Sequence, residues 1–224
     1  MPSCGHPVAY LHRVARPLRL CFPNARYHVI ARGNSDGAIY LGDLDRELFL
    51  GDLAQVVERY SWLLHAYCLM TTHYHLVLET PLPNLPVGMQ RLNGRHASGF
   101  NQRHGRSGHV FGSRYRSILI EDVRYLLTVC RYVVLNPIRA GICDRPEDWP
   151  WSSYRATAGL EPTPRFLTTE TILAEVGGDT YPAAQAAYRE SSPQGSTTRS
   201  PSECAVSGWE ATGSCGSGSG SIRR

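Results

Sequence analysis

Two apolar runs, Leu63–Met70 and Tyr74–Thr80, are separated by little more than Thr71-Thr72. Runs of this length around so short a break read as a β-hairpin. A hairpin must be antiparallel, so it fixes the centre of whatever sheet the chain builds. Upstream, Tyr27–Arg32 alternates like a strand, with Tyr27, Val29 and Ala31 on one face. Between them, Asp43 and Asp45 precede a helical pattern of Leu48, Leu53, Val56, Val57 and Tyr60. The acids fall where the helix dipole favours them.

Downstream, Pro81, Pro83 and Pro86 end the second run of the hairpin. Met89, Leu92, His96 and Phe100 recur at spacings of three or four, which predicts a helix from about Val87 to His104. Tyr115–Ile120 reads as a further strand. Glu121-Asp122 then opens a helix through Tyr125, Leu126, Val129, Tyr132 and Val133, which must stop near Asn136 because Pro137 follows. Strand, helix, strand, strand, helix, strand, helix is the order of a ferredoxin-like (RRM-like) α+β fold. Its antiparallel sheet carries helices on one face, and one additional helix follows.

The chain of 224 residues is 42% hydrophobic and 19% charged, as expected of a globular domain. The expected organisation is a loosely ordered segment over 1–15, a working domain over 16–180 and a low-complexity, disordered tail over 181–224, rich in Ser and Gly toward its end. Seven scattered cysteines without a Cys-x-x-Cys pair argue against a disulfide framework and a zinc–cysteine site. No apolar run approaches the ~20 residues of a membrane helix, and no secretory signal stands at the N-terminus. The expected location is the cytoplasm.

Charge is segregated along the chain. Residues 1–33 carry a net +5, 34–90 a net −5, 91–140 a net +7 and 141–224 a net −3. Two basic stretches around an acidic one point to an anionic partner such as nucleic acid. Every basic residue is Arg and none is Lys, so the clustering is informative and the choice of Arg is not.

Two features could carry chemistry. In a strand, His73 and His75 project from the same face and can share one metal ion; two neighbouring surface histidines are the blander account. Tyr132 and Asn136 are one helical turn apart. An Asn oxygen is a hard donor suited to Mg²⁺ or Mn²⁺, and a phenol can act as a nucleophile. The blander account is a core tyrosine and a helix-capping asparagine. Combined, His73, His75 and Asn136 would hold a divalent metal beside Tyr132, and the basic 91–140 stretch would bind phosphates. Arg95, Arg103, Arg114, Arg116 and Arg131 are its candidates, with Phe100, Phe111 and Tyr115 available for base stacking.

The chain also resembles the REP-associated tyrosine transposases, the single-tyrosine branch of the HUH endonucleases. The resemblance runs from about Arg16 to Tyr188. Its marks are Tyr27-His28-Val29, Arg32-Gly33-Asn34, His65 to Met70, His73 to Thr80, Leu92 to Arg95, Arg131-Tyr132 through Leu135 to Gly141, and Trp149 to Tyr154. The resemblance implies a metal-dependent enzyme that cleaves and rejoins single-stranded DNA, with REP-type hairpin repeats as the substrate. It assigns Tyr132 as nucleophile, His73 and His75 as metal ligands, and Asn136 as the third ligand. Arg32 joins the other arginines as a candidate DNA contact. The intermediate would be a 5′-phosphotyrosine with a free 3′-hydroxyl, formed without any nucleotide cofactor.

The sequence departs from the family's pattern at Thr71-Thr72, where Pro-Asn is expected, and in the Ser/Gly-rich end where a longer ordered region is expected. Proteolysis to near residue 190 should therefore spare cleavage. Related enzymes occur as homodimers, and members of this branch also act as monomers; no apolar stripe decides between them. The alternative function is a non-catalytic nucleic-acid-binding regulator on the same fold, a domesticated transposase. A metal-dependent phosphodiesterase that uses activated water is a third reading. An RRM-type RNA binder shares the topology, but the aromatic strand pair of its stacking platform is missing.

Overall fold

Alternation along each strand sorts the side chains into two faces, and the two faces acquire different helices. The computed structural model describes residues 21–191; the expectations for residues 1–15 and for the low-complexity end after Ser191 lie outside them. The elements are β1 (Ala25–Arg32), α1 (Asp43–Tyr60), β2 (Leu63–Leu69), β3 (His73–Thr80), α2 (Leu85–Arg103), β4 (Arg116–Ile120), α3 (Val123–Val134), α4 (Asn136–Arg139), α5 (Tyr154–Thr157), α6 (Glu170–Val176) and α7 (Tyr181–Glu190). The sheet has the order β2-β3-β1-β4, with every neighbouring pair antiparallel. This is the ferredoxin-like arrangement expected, with the hairpin at residues 63–80.

On one face, Tyr27, Val29 and Ala31 of β1 join Tyr74, Leu76 and Leu78 of β3. Against them pack Phe49, Leu53 and Val56 of α1 and Met89, Leu92 and Phe100 of α2. Helix α1 opens with Asp43 and Asp45 and closes at Ser61 in the left-handed region; α2 opens on Pro86, whose missing N–H costs nothing in the first turn. Gly88 lets α2 lie against Trp62, since a Cβ there would come within 2.2 Å of the indole.

The other face is closed as well. Ala66, Cys68 and Val77 pack against Leu126, Val129, Cys130 and Val133 of α3. The sheet face that an RNA-stacking platform would leave open is therefore covered. Beyond α3 lie Tyr154, Ile172, Leu173, Ala184 and Tyr188, in the same core cluster. The ordered domain consequently continues through α7, ten residues past the expected boundary at 180. Short apolar segments with Ala spacers gave no strong period there, and tertiary burial of Ala184 and Tyr188 supplies what periodicity did not. Among the described residues, no helix is long and apolar enough to cross a membrane.

A turn at the end of β1 shapes the edge of the second face. Gly33 donates its N–H to Thr72 O at 2.7 Å, and Asn34 donates to Val110 O at 2.9 Å. A Cβ on Gly33 would lie 2.0 Å from Gly37 O, so no other residue fits. The loop before β4 is bound to the same turn by Gly112 N–H donating to Arg32 O at 3.1 Å.

Candidate active site

The register of the sheet puts a row of polar side chains under α3. Arg32 is paired with His73, Ile30 with His75, and His28 with Val77. His73 and His75, two apart on β3, have ring centroids 5.0 Å apart with planes nearly perpendicular. They share a face as the two-residue period requires. A third imidazole stands beside them. His28 Nε2 lies 3.0 Å from His75 Nδ1, in the interior. His28 was not among the residues singled out from the sequence. Its signal was there: in Tyr27–Arg32 the apolar face is Tyr27, Val29 and Ala31, which leaves His28 on the opposite face, beside the strand that carries His73 and His75.

Tyr132 reaches this cluster from α3. Its ring meets His28 edge-on at 6.0 Å and His75 at 6.4 Å between centroids. Arg139, from α4, lies over the same phenol ring with its guanidinium carbon 4.4 Å from the centroid. Asn136 stands at the joint between α3 and α4. Its Nδ2 donates to Tyr132 O at 3.0 Å and Val133 O at 3.1 Å. The amide thus caps the last turn of α3, and its anchoring through nitrogen leaves Oδ1, the hard donor, for another partner. The capping account and the ligand account of Asn136 are compatible.

The three imidazoles are neutral. Burial lowers His28 to about 4. His73 is also lowered to about 4, by burial first and by the nearby Arg32 second. His75 is pushed well below its ordinary value by burial, then by His28, His73 and Arg32. Neutral imidazole is the form that ligates a metal. His75 Nε2 is buried without a hydrogen-bond partner, and a buried polar atom of that kind asks for one. His73 Nδ1 lies 3.1 Å from Thr72 Oγ1, so Thr72 supports the first histidine from the turn. Among the described residues, no three His, Cys, Asp or Glu side chains form a ready-made metal site; a cation here would need the Asn136 oxygen or substrate oxygens.

The six arginines expected to touch DNA divide by location. Arg32 is at the end of β1, opposite His73, and forms an ion pair with Asp36 at 3.1 Å. Arg116 is opposite Ile30, which is opposite His75, so all three share one cross-strand row and one face. Arg114 is exposed in the loop leading into β4. Arg95 and Arg103 lie on α2, beyond the other face of the sheet. Arg95 is paired with Asp52 of α1 at 2.6 Å, and Arg103 with the buried Asp45 at 2.8 Å. Arg131 precedes the tyrosine but turns away from it, donating to Ser191 Oγ after α7. A basic stretch in sequence is thus split across a sheet in space.

Comparison with known proteins bears on the fold and the family. A REP-associated tyrosine transposase named from Haemophilus influenzae is 27% identical over 134 residues, covering 54% of this chain and 75% of that protein. A solved structure of a REP-associated tyrosine transposase bound to a REP hairpin superposes with a TM-score of 0.56 at 15% identity. That match covers 66% of this chain and 89% of the other and shows a common fold. The sequence pattern of the IS200-like transposases matches residues 21–136, a stretch that holds His28, His73, His75, Tyr132 and Asn136. As that stretch is just over half of the 224 residues, this protein belongs to the IS200-like transposase family.

Proposed function

We propose that this transposase cleaves and rejoins single-stranded DNA, with REP-type hairpins as substrate, through a covalent link to Tyr132. The observation that carries the reading is the approach of the Tyr132 ring to His28 and His75, the latter beside His73, and to Arg139. A tyrosine kept only for packing would have no reason to sit in so polar a cluster. The hairpin as substrate is supported by the DNA named with the solved relative.

The donor set fits a hard divalent cation. His75 Nε2 is buried and unpartnered, its imidazole and that of His73 are neutral, and Asn136 spends its amide nitrogen, not its oxygen, on the capping bonds to Tyr132 O and Val133 O. In this reading His73, His75 and Asn136 would hold Mg²⁺ or Mn²⁺. When bound there, the cation polarises a phosphate oxygen and offsets developing negative charge.

The chain's own residues account for the remainder. Tyr132 Oη attacks phosphorus and gives up its proton, a P–O bond to Tyr132 forms, and the bond from phosphorus to the 3′-oxygen breaks. The 3′-oxygen leaves and ends as a hydroxyl. The same steps in reverse rejoin a strand, because the phosphotyrosine retains the phosphodiester's energy. Arg139, stacked over the ring, holds it against rotation. Arg32 and Arg116, on the histidine side of the sheet, would take flanking phosphates.

The test is incubation of the protein with labelled single-stranded hairpin DNA and Mn²⁺ or Mg²⁺, read on a denaturing gel. A covalent adduct lost with EDTA and in Tyr132→Phe is the expected result. Hairpin binding without any adduct over several repeats would favour a regulatory binding protein, and metal-dependent cutting that persists in Tyr132→Phe would favour hydrolysis by water.

A further inference from the structure

His28 stands in the site with no role in the steps above, and its contact with His75 has an unusual geometry. The two rings are inclined by only 26°, with centroids 5.2 Å apart, while the facing nitrogens are 3.0 Å apart. Two imidazoles whose nitrogens are that close can hardly have centroids farther apart. The two nitrogens must therefore lie almost on the line joining the ring centres, each pointing at the other. Face-to-face stacking is excluded. The contact is an in-plane hydrogen bond between nearly coplanar rings.

One of the two nitrogens has to donate and the other accept, and an imidazole whose facing nitrogen accepts carries its proton on the remote one. If His28 donated, His75 would carry its proton on Nε2, a buried N–H with no acceptor. If His75 donates, the buried Nε2 keeps a lone pair, on a ring whose centroid is 5.0 Å from that of His73. A buried donor without an acceptor is the rarer defect in folded proteins, and only the second arrangement offers a lone pair to a cation.

We infer that His28 is a positioning residue that accepts the Nδ1–H of His75, fixing that ring's tautomer and plane so that Nε2 is aimed as a metal ligand. Metal-binding histidines ordinarily donate their second nitrogen to a carboxylate or carbonyl; an imidazole from β1 takes that place here. The inference rests on the metal-dependent reading of the site, but it concerns a bond that exists in the metal-free protein. It can be tested separately for that reason.

The experiment is ¹⁵N spectroscopy of the side-chain nitrogens in metal-free protein, with the His75 signals assigned by their loss in His75→Gln. The expected result is a protonated Nδ1 and an unprotonated Nε2 on His75. His28→Phe keeps a ring beside Tyr132 but removes the acceptor. It should release the tautomer and weaken Mn²⁺ binding by about ten- to a hundredfold in calorimetry. His28→Gln, with an oxygen that can accept, should recover most of the loss. A wild-type His75 protonated on Nε2, or a His28→Phe variant with tautomer and Mn²⁺ affinity unchanged, overturns the inference. Wild-type protein that shows the Nδ1–H tautomer yet takes up no Mn²⁺ upholds the His28 contact and overturns the metal reading instead.

Discussion

The guanidinium of Arg139 lies over the ring of Tyr132, 4.4 Å from its centre. Seven positions separate the two, close to two turns of helix, although α3 stops at Val134 and a new turn begins at Asn136. Pro137 forces that break, and the amide of Asn136 bridges it by donating to Tyr132 O and Val133 O. Asn136 and Arg139 therefore act on the same tyrosine from the same short turn, one on its backbone and one on its ring.

Removing the guanidinium should slow the chemistry more than it weakens binding. A cation–π contact of this kind is worth about 1 kcal/mol. Arg139→Ala should reduce single-turnover formation of the covalent adduct by about three- to tenfold and leave the melting temperature nearly unchanged. Arg139→Lys, which keeps the charge without the planar fork, should fall between the two. Rapid-quench kinetics at saturating DNA separate the rate from affinity.

The split of the arginines across the sheet gives a second expectation. Arg116→Glu, on the histidine face, should weaken hairpin binding and lower the steepness of its salt dependence by about one unit per lost phosphate contact. Arg95→Glu, across the sheet and paired with Asp52, should leave that slope alone. Arg103→Ala should act on stability instead. Its partner Asp45 is buried and also accepts from Leu41 N at 2.8 Å and contacts His104 at 2.9 Å. Those remaining partners limit the cost to about 2 kcal/mol. Salt titrations of binding, set beside urea melts, distinguish the two classes.

Stability should fall in mild acid, and besides the site histidines two histidines remote from the site contribute. His65 and His96 are both buried, and burial lowers each below the ordinary value of 6.5; for His96 the hydrogen bond to Ile39 O opposes the shift without reversing it. The unfolded chain binds protons at these two positions first, so stability is greatest above pH 6.5 and declines as pH drops below it. His96→Gln, which can still reach Ile39 O, should flatten part of the decline. Denaturant midpoints measured from pH 8 to pH 5 follow it directly.

The hairpin, the five long elements around it and the His73–His75 pair were legible because each rests on local period or adjacency. The same is true of Tyr132 and Asn136, one turn apart on a helix that Pro137 must end. What was not legible depends on pairings made across the sheet. His28 enters the site only through the register of β1 against β3. Arg139 enters through a kink that brings α4 back onto α3. The destination of Arg95 and Arg103 followed from which face of the sheet α2 covers, information a net charge along the chain does not contain. Helix α7 was missed because it is held by α6 and, through Tyr188, by Tyr154 rather than by any strong pattern of its own.

The central claim is that Tyr132 itself becomes bonded to DNA, and peptide mass spectrometry of the adduct tests it most directly. Trypsin should release Tyr132–Arg139, a peptide with a single tyrosine, after nuclease trimming of the attached strand. The expected nucleotide remnant sits on that tyrosine, as a phosphodiester to the 5′-oxygen of the strand downstream of the cut. A remnant on another peptide, or cleaved DNA with every tyrosine unmodified, would contradict it.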